Sequence, residues 1–315
     1  MEGLYGSLHC MEIGQLGIIH CVATRILCVP NFSEGRNEQT IHQIAQAVRL
    51  PGVQVHHLSW DYDHNRMVLA FSGSPRQVAR AVLQAGVVAV ERIDLRAHQG
   101  AHPRIGAVDV VPFVPLEGIT REQAVAFSLR VARRFAQELK VPVYLYEHSA
   151  REGRPRDLPT LRKGGYEAWV GKRLEGLRRP DFGPARLHPT AGATIMGVRD
   201  PLVAFNLNLR DPRPDLAKAI AQRLRTERET NPALKGVRAL GLWLPTRQIA
   251  QVSLNITQPD ATDLYQVVQY VRLQAQSLGT DIAQTELIGV IGLESCARAI
   301  AQALLCPNLQ AEQIV

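Results

Sequence analysis

The chain has 315 residues, 46% of them hydrophobic and 21% charged, with a formal net charge of +7. That length exceeds one compact core and predicts two subdomains of about 100 to 180 residues each, while no apolar run reaches the roughly 20 residues that span a bilayer, so a soluble protein with no membrane association is expected. Five cysteines (Cys10, Cys21, Cys28, Cys296, Cys306) without a CxxC pair argue against a disulfide framework or a zinc site and for a reducing cytoplasm.

Residues 1–24 are mildly apolar but carry Glu2 and Glu12 and no basic leader, which reads as a loosely packed extension and not as a secretory signal. A short strand is expected from Arg25 to Pro30. Asn37 then caps a helix with Ile41, Ile44, Ala45 and Val48 at helical spacing. Val53 to Ser59 and Met67 to Gly73 read as strands joined by the polar stretch WDYDHN, which holds Asp61, Asp63 and His64. Ser74, Pro75 and Gln77 supply an N-cap, a proline at the first helical position and a capping-box glutamine for a second helix. A strand from Ala107 to Val114 completes a βαββαβ order, the ferredoxin-like arrangement of a sheet covered on one face by two helices. A third helix opens on Thr120 and Gln123 and runs to about Leu139, followed by a strand from Val141 to Tyr146.

From Leu202 the same order recurs. Strands are expected to Leu209, over Val237 to Leu244, Ile249 to Ile256 and Glu286 to Val290, with helices from about Asp215 to Glu229 and Asp263 to Leu278. The fold class is therefore α/β (α+β), two ferredoxin-like subdomains with a cleft or tunnel between them. The boundaries predicted are an extension over 1–24 and subdomains over 25–198 and 202–315. The intervening stretch is rich in Gly, Pro and Arg. From Arg151 to Arg186 it holds ten Lys or Arg against five Asp or Glu, a solvated surface or a steering field for polyanions.

The segment DLRAHQGAHPRIGAVDVVPFVP, Asp94 to Pro115, is dense in polar groups that do not alternate, a poor core and a good site. His98 and His102 are four apart, but Gly100 and Pro103 break the helix that would align them as metal ligands. No metal is expected. A histidine suits proton transfer near neutrality, and Arg66, Arg96 and Arg104 are candidates for holding carboxylates by paired hydrogen bonds.

The strings CVPNFSEGRN (Cys28 to Asn37), DHNRMVLAFSG (Asp63 to Gly73), HQGAHPRIGAVDVVPFVP (His98 to Pro115), VPVYLYEHSA (Val141 to Ala150), DFGPARLHPTAGAT (Asp181 to Thr194), VAFNLNL (Val203 to Leu209) and AQVSLNIT (Ala250 to Thr257) together resemble glutamate formiminotransferase, over about residues 25 to 300. The resemblance implies transfer of a formimino group between formiminoglutamate and tetrahydrofolate, a homodimer, and His102, in the HPR triplet, as catalytic residue. It also implies that Gly183, Pro184, Ala185, Arg186, Leu187, His188, Pro189, Thr190, Ala191 and Gly192 contact folate. Asp61, with Asp63 as its competitor, and Arg104 are expected beside His102 in catalysis, and Arg66 and Arg199 as clamps for substrate carboxylates.

The resemblance covers the transferase part and not the cyclodeaminase that is fused to it in animals, so channelling of the product to a fused partner is not expected. Gln99 and Ala101 stand where the animal pattern has charged side chains, which leaves a formyltransferase or another folate one-carbon transferase as the alternative. A non-catalytic folate-binding module is the further one. Nucleic acid is not an expected partner, because aromatic residues make up only 5% of the chain and sheet-based RNA binding needs aromatic platforms.

Overall fold

The computed structural model describes residues 23–314; the expectation for the N-terminal extension lies, up to residue 22, outside them. The fold is mixed α/β with two sheets, matching the two βαββαβ subdomains expected. By contacts the chain forms two compact units: one holds the described residues up to Leu58 with Leu69–His98 and Pro103–Arg199, the other holds Ser59–Val68, Gln99–His102 and the described residues from Asp200 onward.

In the first unit the initial strand is interrupted, running as β1 (Ile26–Cys28) and β2 (Asn31–Phe32). Pro30 has no N–H for the ladder, and its carbonyl instead accepts from the Leu69 N–H at 3.1 Å. Helix α1 (Glu38–Ala47) starts where expected, the Asn37 side chain accepting from the Thr40 N–H at 3.0 Å. Strands β3 (Gln54–Asp61) and β4 (Arg66–Gly73) lead to α2 (Pro75–Arg92), which carries the Ser74–Gln77 capping box, and then to β5 (Val108–Pro115). β1 lies between β4 and β5, antiparallel to both, and β3 pairs with β4. That is the strand order a βαββαβ unit requires.

The same sheet then grows. After α3 (Arg121–Leu139), with the Thr120–Gln123 capping box, come β6 (Val143–Leu145), the short α4 (Leu158–Leu161) and β7 (Thr194–Val198). β7 runs parallel to β5 and β6 runs parallel to β7, making seven strands in all. β7 was not among the expected strands. All five of its residues are buried, and a short, continuously buried run carries no alternation to mark it as a strand.

The second unit has β8 (Val203–Leu209), α5 (Pro214–Glu227), β9 (Val237–Leu244), β10 (Ile249–Ile256), α6 (Leu264–Ser277), β11 (Ile282–Ile288) and α7 (Leu293–Ala303). Its sheet is antiparallel in the order β11, β8, β10, β9. Leu216, Ile220 and Leu224 of α5 and Val267 and Val271 of α6 form one core with Leu207, Val252 and Leu254 of the sheet. Because side chains alternate along a strand, the opposite face carries Asn206, Asn208, Gln251 and Glu286. β11 begins at Ile282, four residues before the Glu286 expected: residues 283–285 are exposed and the strand bulges between Ile282 and Gln284, which hides the strand pattern.

Candidate active site

In the second unit, two short segments are zipped together. The Asn65 side-chain amide donates to the Gln99 carbonyl at 2.9 Å, and the Ala101 N–H donates to the Asp63 carbonyl at 2.9 Å. Asn65 adopts φ 46°, a left-handed turn that asparagine tolerates. Gly100 fits this zipper because a Cβ there would stand 2.3 Å from the His64 carbonyl oxygen. Gln99 and Ala101, the two departures from the animal pattern, thus serve through main-chain groups.

The zipper sets His102 beside Arg66, whose Nη1 lies 2.5 Å from Nδ1 and 2.8 Å from Nε2 of the ring. A single nitrogen this near both ring nitrogens lies over the ring and not in its plane, and a guanidinium, which only donates, is compatible there with a neutral imidazole. His64 packs edge-on against His102, with ring centroids 6.0 Å apart. Asp61 accepts the His64 N–H at 2.8 Å and pairs with Arg247 at 3.1 Å. Asp63 is buried and accepts the N–H groups of Thr246 at 3.0 Å and Arg247 at 3.3 Å. Of the two acids, Asp63 fixes the β9–β10 turn, and Asp61 orients the loop that carries His64 and Arg66.

Behind His64 a polar chain crosses the sheet. Its Nε2 lies 3.1 Å from Gln251 Oε1; Gln251 Nε2 donates to Asn208 Oδ1 at 2.9 Å and more weakly to Glu286 at 3.3 Å. Asn208 donates to Glu286 at 2.9 Å, and Arg247 closes the chain on Glu286 at 2.6 Å. Burial alone would raise the Glu286 carboxyl, but hydrogen bonds from Arg247 and Asn208 outweigh it and hold the group below the usual glutamate range. Gln251 and Asn208 are almost wholly buried, and such groups stay in an interior only when their partners are complete.

The other expected residues lie in the first unit. Arg104 Nε donates to His98 Nδ1 at 2.6 Å, and its two terminal nitrogens hold Glu167 at 2.7 and 3.2 Å. The carboxylate in its fork is therefore a protein one, and the Glu167 carboxyl is held down chiefly by that hydrogen bond. The 183–192 segment runs beside the residues that follow Arg104: Ala107 N–H donates to the Ala191 carbonyl at 2.9 Å and Ala193 N–H to that of Ile105 at 3.1 Å. Gly192 is required there, since its φ is +66° and a Cβ would stand 2.1 Å from the Ile105 oxygen. His188 Nδ1 accepts from the Ala191 N–H at 3.1 Å inside the segment's own turn, and burial lowers the pKa of that ring. Arg199, at the end of β7, faces Tyr146, Cys28 and Glu147, and burial lowers the pKa of its guanidinium.

Arginines of the 151–186 stretch bind main-chain carbonyls. Arg178 holds those of Thr160, Leu161 and Lys163 at 2.8 to 3.0 Å, Arg186 that of Gly171 at 2.7 Å, and Arg154 those of Gly176 and Arg179. A long segment with little regular structure must satisfy its carbonyls by other means, and these forks do so. Arg162 instead pairs with Asp109 at 2.5 Å, both side chains nearly buried.

The sequence by itself assigns no role to His64, Gln251, Asn208, Glu286 or Arg247. A signal was present: Asn206, Asn208 and Gln251 interrupt strands at positions whose neighbours are apolar, and polar residues inside strands need partners. Among the described residues no group of three or more His, Cys, Asp or Glu is placed to hold a metal ion, and no helix is long and apolar enough to cross a membrane.

Residues 25–199 match the formiminotransferase domain, N-terminal subdomain, and residues 204–304 the formiminotransferase domain. The chain is 39% identical to a glutamate formimidoyltransferase of Streptococcus pyogenes serotype M1, over 85% of this chain and 89% of that protein. It is 35% identical to one from Thermoplasma acidophilum, over 84% and 87% respectively. Against the formimidoyltransferase-cyclodeaminase of Sus scrofa it is 39% identical, spanning 51% of that longer protein. With both subdomains matched and relatives 35% and 39% identical over most of their length, this chain belongs to the formiminotransferase family.

Proposed function

We propose that this chain is a glutamate formimidoyltransferase that moves a formimino group between N-formimino-L-glutamate and tetrahydrofolate, with His102 as the proton carrier. The contact that supports the reading is Arg66 beside the His102 ring: a donor-only cation sits with a neutral imidazole, the form a base needs. When folate N5 bonds to the amidine carbon, the C=N π pair returns to the amidine nitrogen and N5 becomes cationic with its proton still attached. His102 takes that proton and gives it to the glutamate nitrogen as the bond from carbon to that nitrogen breaks. Such general acid–base work contributes about 100-fold to 10,000-fold in rate.

Asp61 supports this by holding the His64 N–H and Arg247, and Arg66 by orienting the ring; Arg66 and Arg199 are proposed to meet substrate carboxylates. Arg104 acts by holding the residues after His102 through His98 and Glu167. The segment Gly183 to Gly192 is proposed as the folate contact, supported by its match to the family block and by a turn held at both ends. Tetrahydrofolate is then a co-substrate, the protein a cytoplasmic homodimer, and its subdomains span 25–198 and 202–315. The test is an assay of the purified chain with tetrahydrofolate and either formiminoglutamate or formylglutamate. Formimino transfer should dominate and fall about 100-fold or more in a folded His102→Ala; near wild-type activity in that variant would refute the proton-carrier role.

A further inference from the structure

His64 is buried, and among the described residues its Nδ1 has no hydrogen-bond partner, although its ring packs against that of His102. A buried polar atom without a partner costs about 1 to 3 kcal/mol and asks for an explanation. The polar chain behind it settles which nitrogen carries the proton. Glu286 is a carboxylate and can only accept, so the amide nitrogen of Asn208 points to it and the Asn208 oxygen faces Gln251. Gln251 therefore offers its nitrogen to Asn208 and its oxygen to His64. His64 Nε2 must be the donor to that oxygen, which leaves Nδ1 as a bare lone pair. An acceptor so fixed does not welcome a carboxylate; it fits an N–H.

We propose that His64 is a second substrate-contacting residue: its Nδ1 accepts a hydrogen bond from the N–H that the glutamate nitrogen already carries while that nitrogen takes a proton from His102. This rests on the transferase reading above. The glutamate nitrogen becomes cationic as it takes that proton, and a hydrogen bond from a charged donor is roughly twice as strong as a neutral one. The contact thus strengthens in the transition state, and its loss falls on kcat. Glu286, Asn208 and Gln251 are then positioning residues, holding the tautomer of a group they do not share with substrate.

The experiment uses the full chain with formiminoglutamate and tetrahydrofolate. His64→Ala and His64→Asn should lower kcat about 10-fold to 100-fold with KM changed less than about 3-fold, and added imidazole should restore part of the His64→Ala rate. A purely structural histidine would give neither the split nor the rescue. If folded variants keep kcat within about 2-fold of wild type, the proposal is wrong. Should both variants fail to fold, nitrogen NMR on histidine-labelled wild-type protein decides. The Nε2–H tautomer is expected for His64, with an Nδ1 resonance that moves on saturation with formiminoglutamate or glutamate. A protonated Nδ1, or no response to either, would overturn it. Failure of the wild-type chain to transfer the group at all would instead overturn the transferase reading.

Discussion

Replacing Asp109 with alanine tests whether the stretch after His102 is anchored by one buried carboxylate. Asp109 is 2% exposed; one oxygen accepts the Ile105 N–H at 2.8 Å and the other pairs with Arg162 at 2.5 Å. The Arg162 side chain is itself only 10% exposed, so the substitution leaves a guanidinium largely out of water without its counter-charge. Breaking a buried pair from one side costs about 3 to 5 kcal/mol. For a unit of this size that corresponds to a drop of roughly 6 to 20 °C in Tm. The isolated charge is the main source of the loss, so removing it as well should recover part: Asp109→Leu with Arg162→Met is expected to be more stable than Asp109→Leu alone. Urea unfolding of wild type, both single variants and the double variant closes the cycle and yields the coupling directly. A cost below about 1 kcal/mol for Asp109→Ala, or additivity within about 0.5 kcal/mol across the cycle, would refute the anchoring role.

Gly100→Ala places a Cβ 2.3 Å from the His64 carbonyl oxygen and 3.0 Å from the Asn65 Cβ, so the zipper must open; a loss of about 1 to 3 kcal/mol is expected, with transferase activity falling more than Tm, and wild-type kcat in this variant would contradict it. The Glu286 carboxyl sits below its ordinary value, so its contribution is complete above the unfolded pKa of about 4.3 and is lost as pH falls through the folded value. Glu286→Gln should therefore lose less stability between about pH 5 and pH 3 than wild type, read as Tm against pH, and parallel profiles would show that the carboxylate is not the titrating group.

Elements with a local signature were legible in the sequence. Asn37, the Ser74–Gln77 box and the Thr120–Gln123 box each start a helix where expected. What the sequence hid depends on pairing. β7 is a continuous buried run whose identity as a strand comes from lying beside β5, and β11 is an exposed, bulged edge strand. The site divides in the same way. His102 was recognisable from its block, and Arg66 was singled out as a carboxylate clamp, but its contact with His102 joins residues 36 positions apart. His64 and Gln251 are 187 apart and share no motif. Their partnership exists only once the β9–β10 hairpin is in place.

The basic stretch from Arg151 to Arg186 separates two properties that a count of charges merges. A guanidinium bound to carbonyls keeps its positive field, which reaches about a Debye length, some 8 to 10 Å in ordinary salt. Arg154, Arg178 and Arg186 have already committed donors to the protein's own backbone. Such a region draws an anion nearer without gripping it, and lysine at these positions would preserve the attraction while stripping the loop of its internal ligatures.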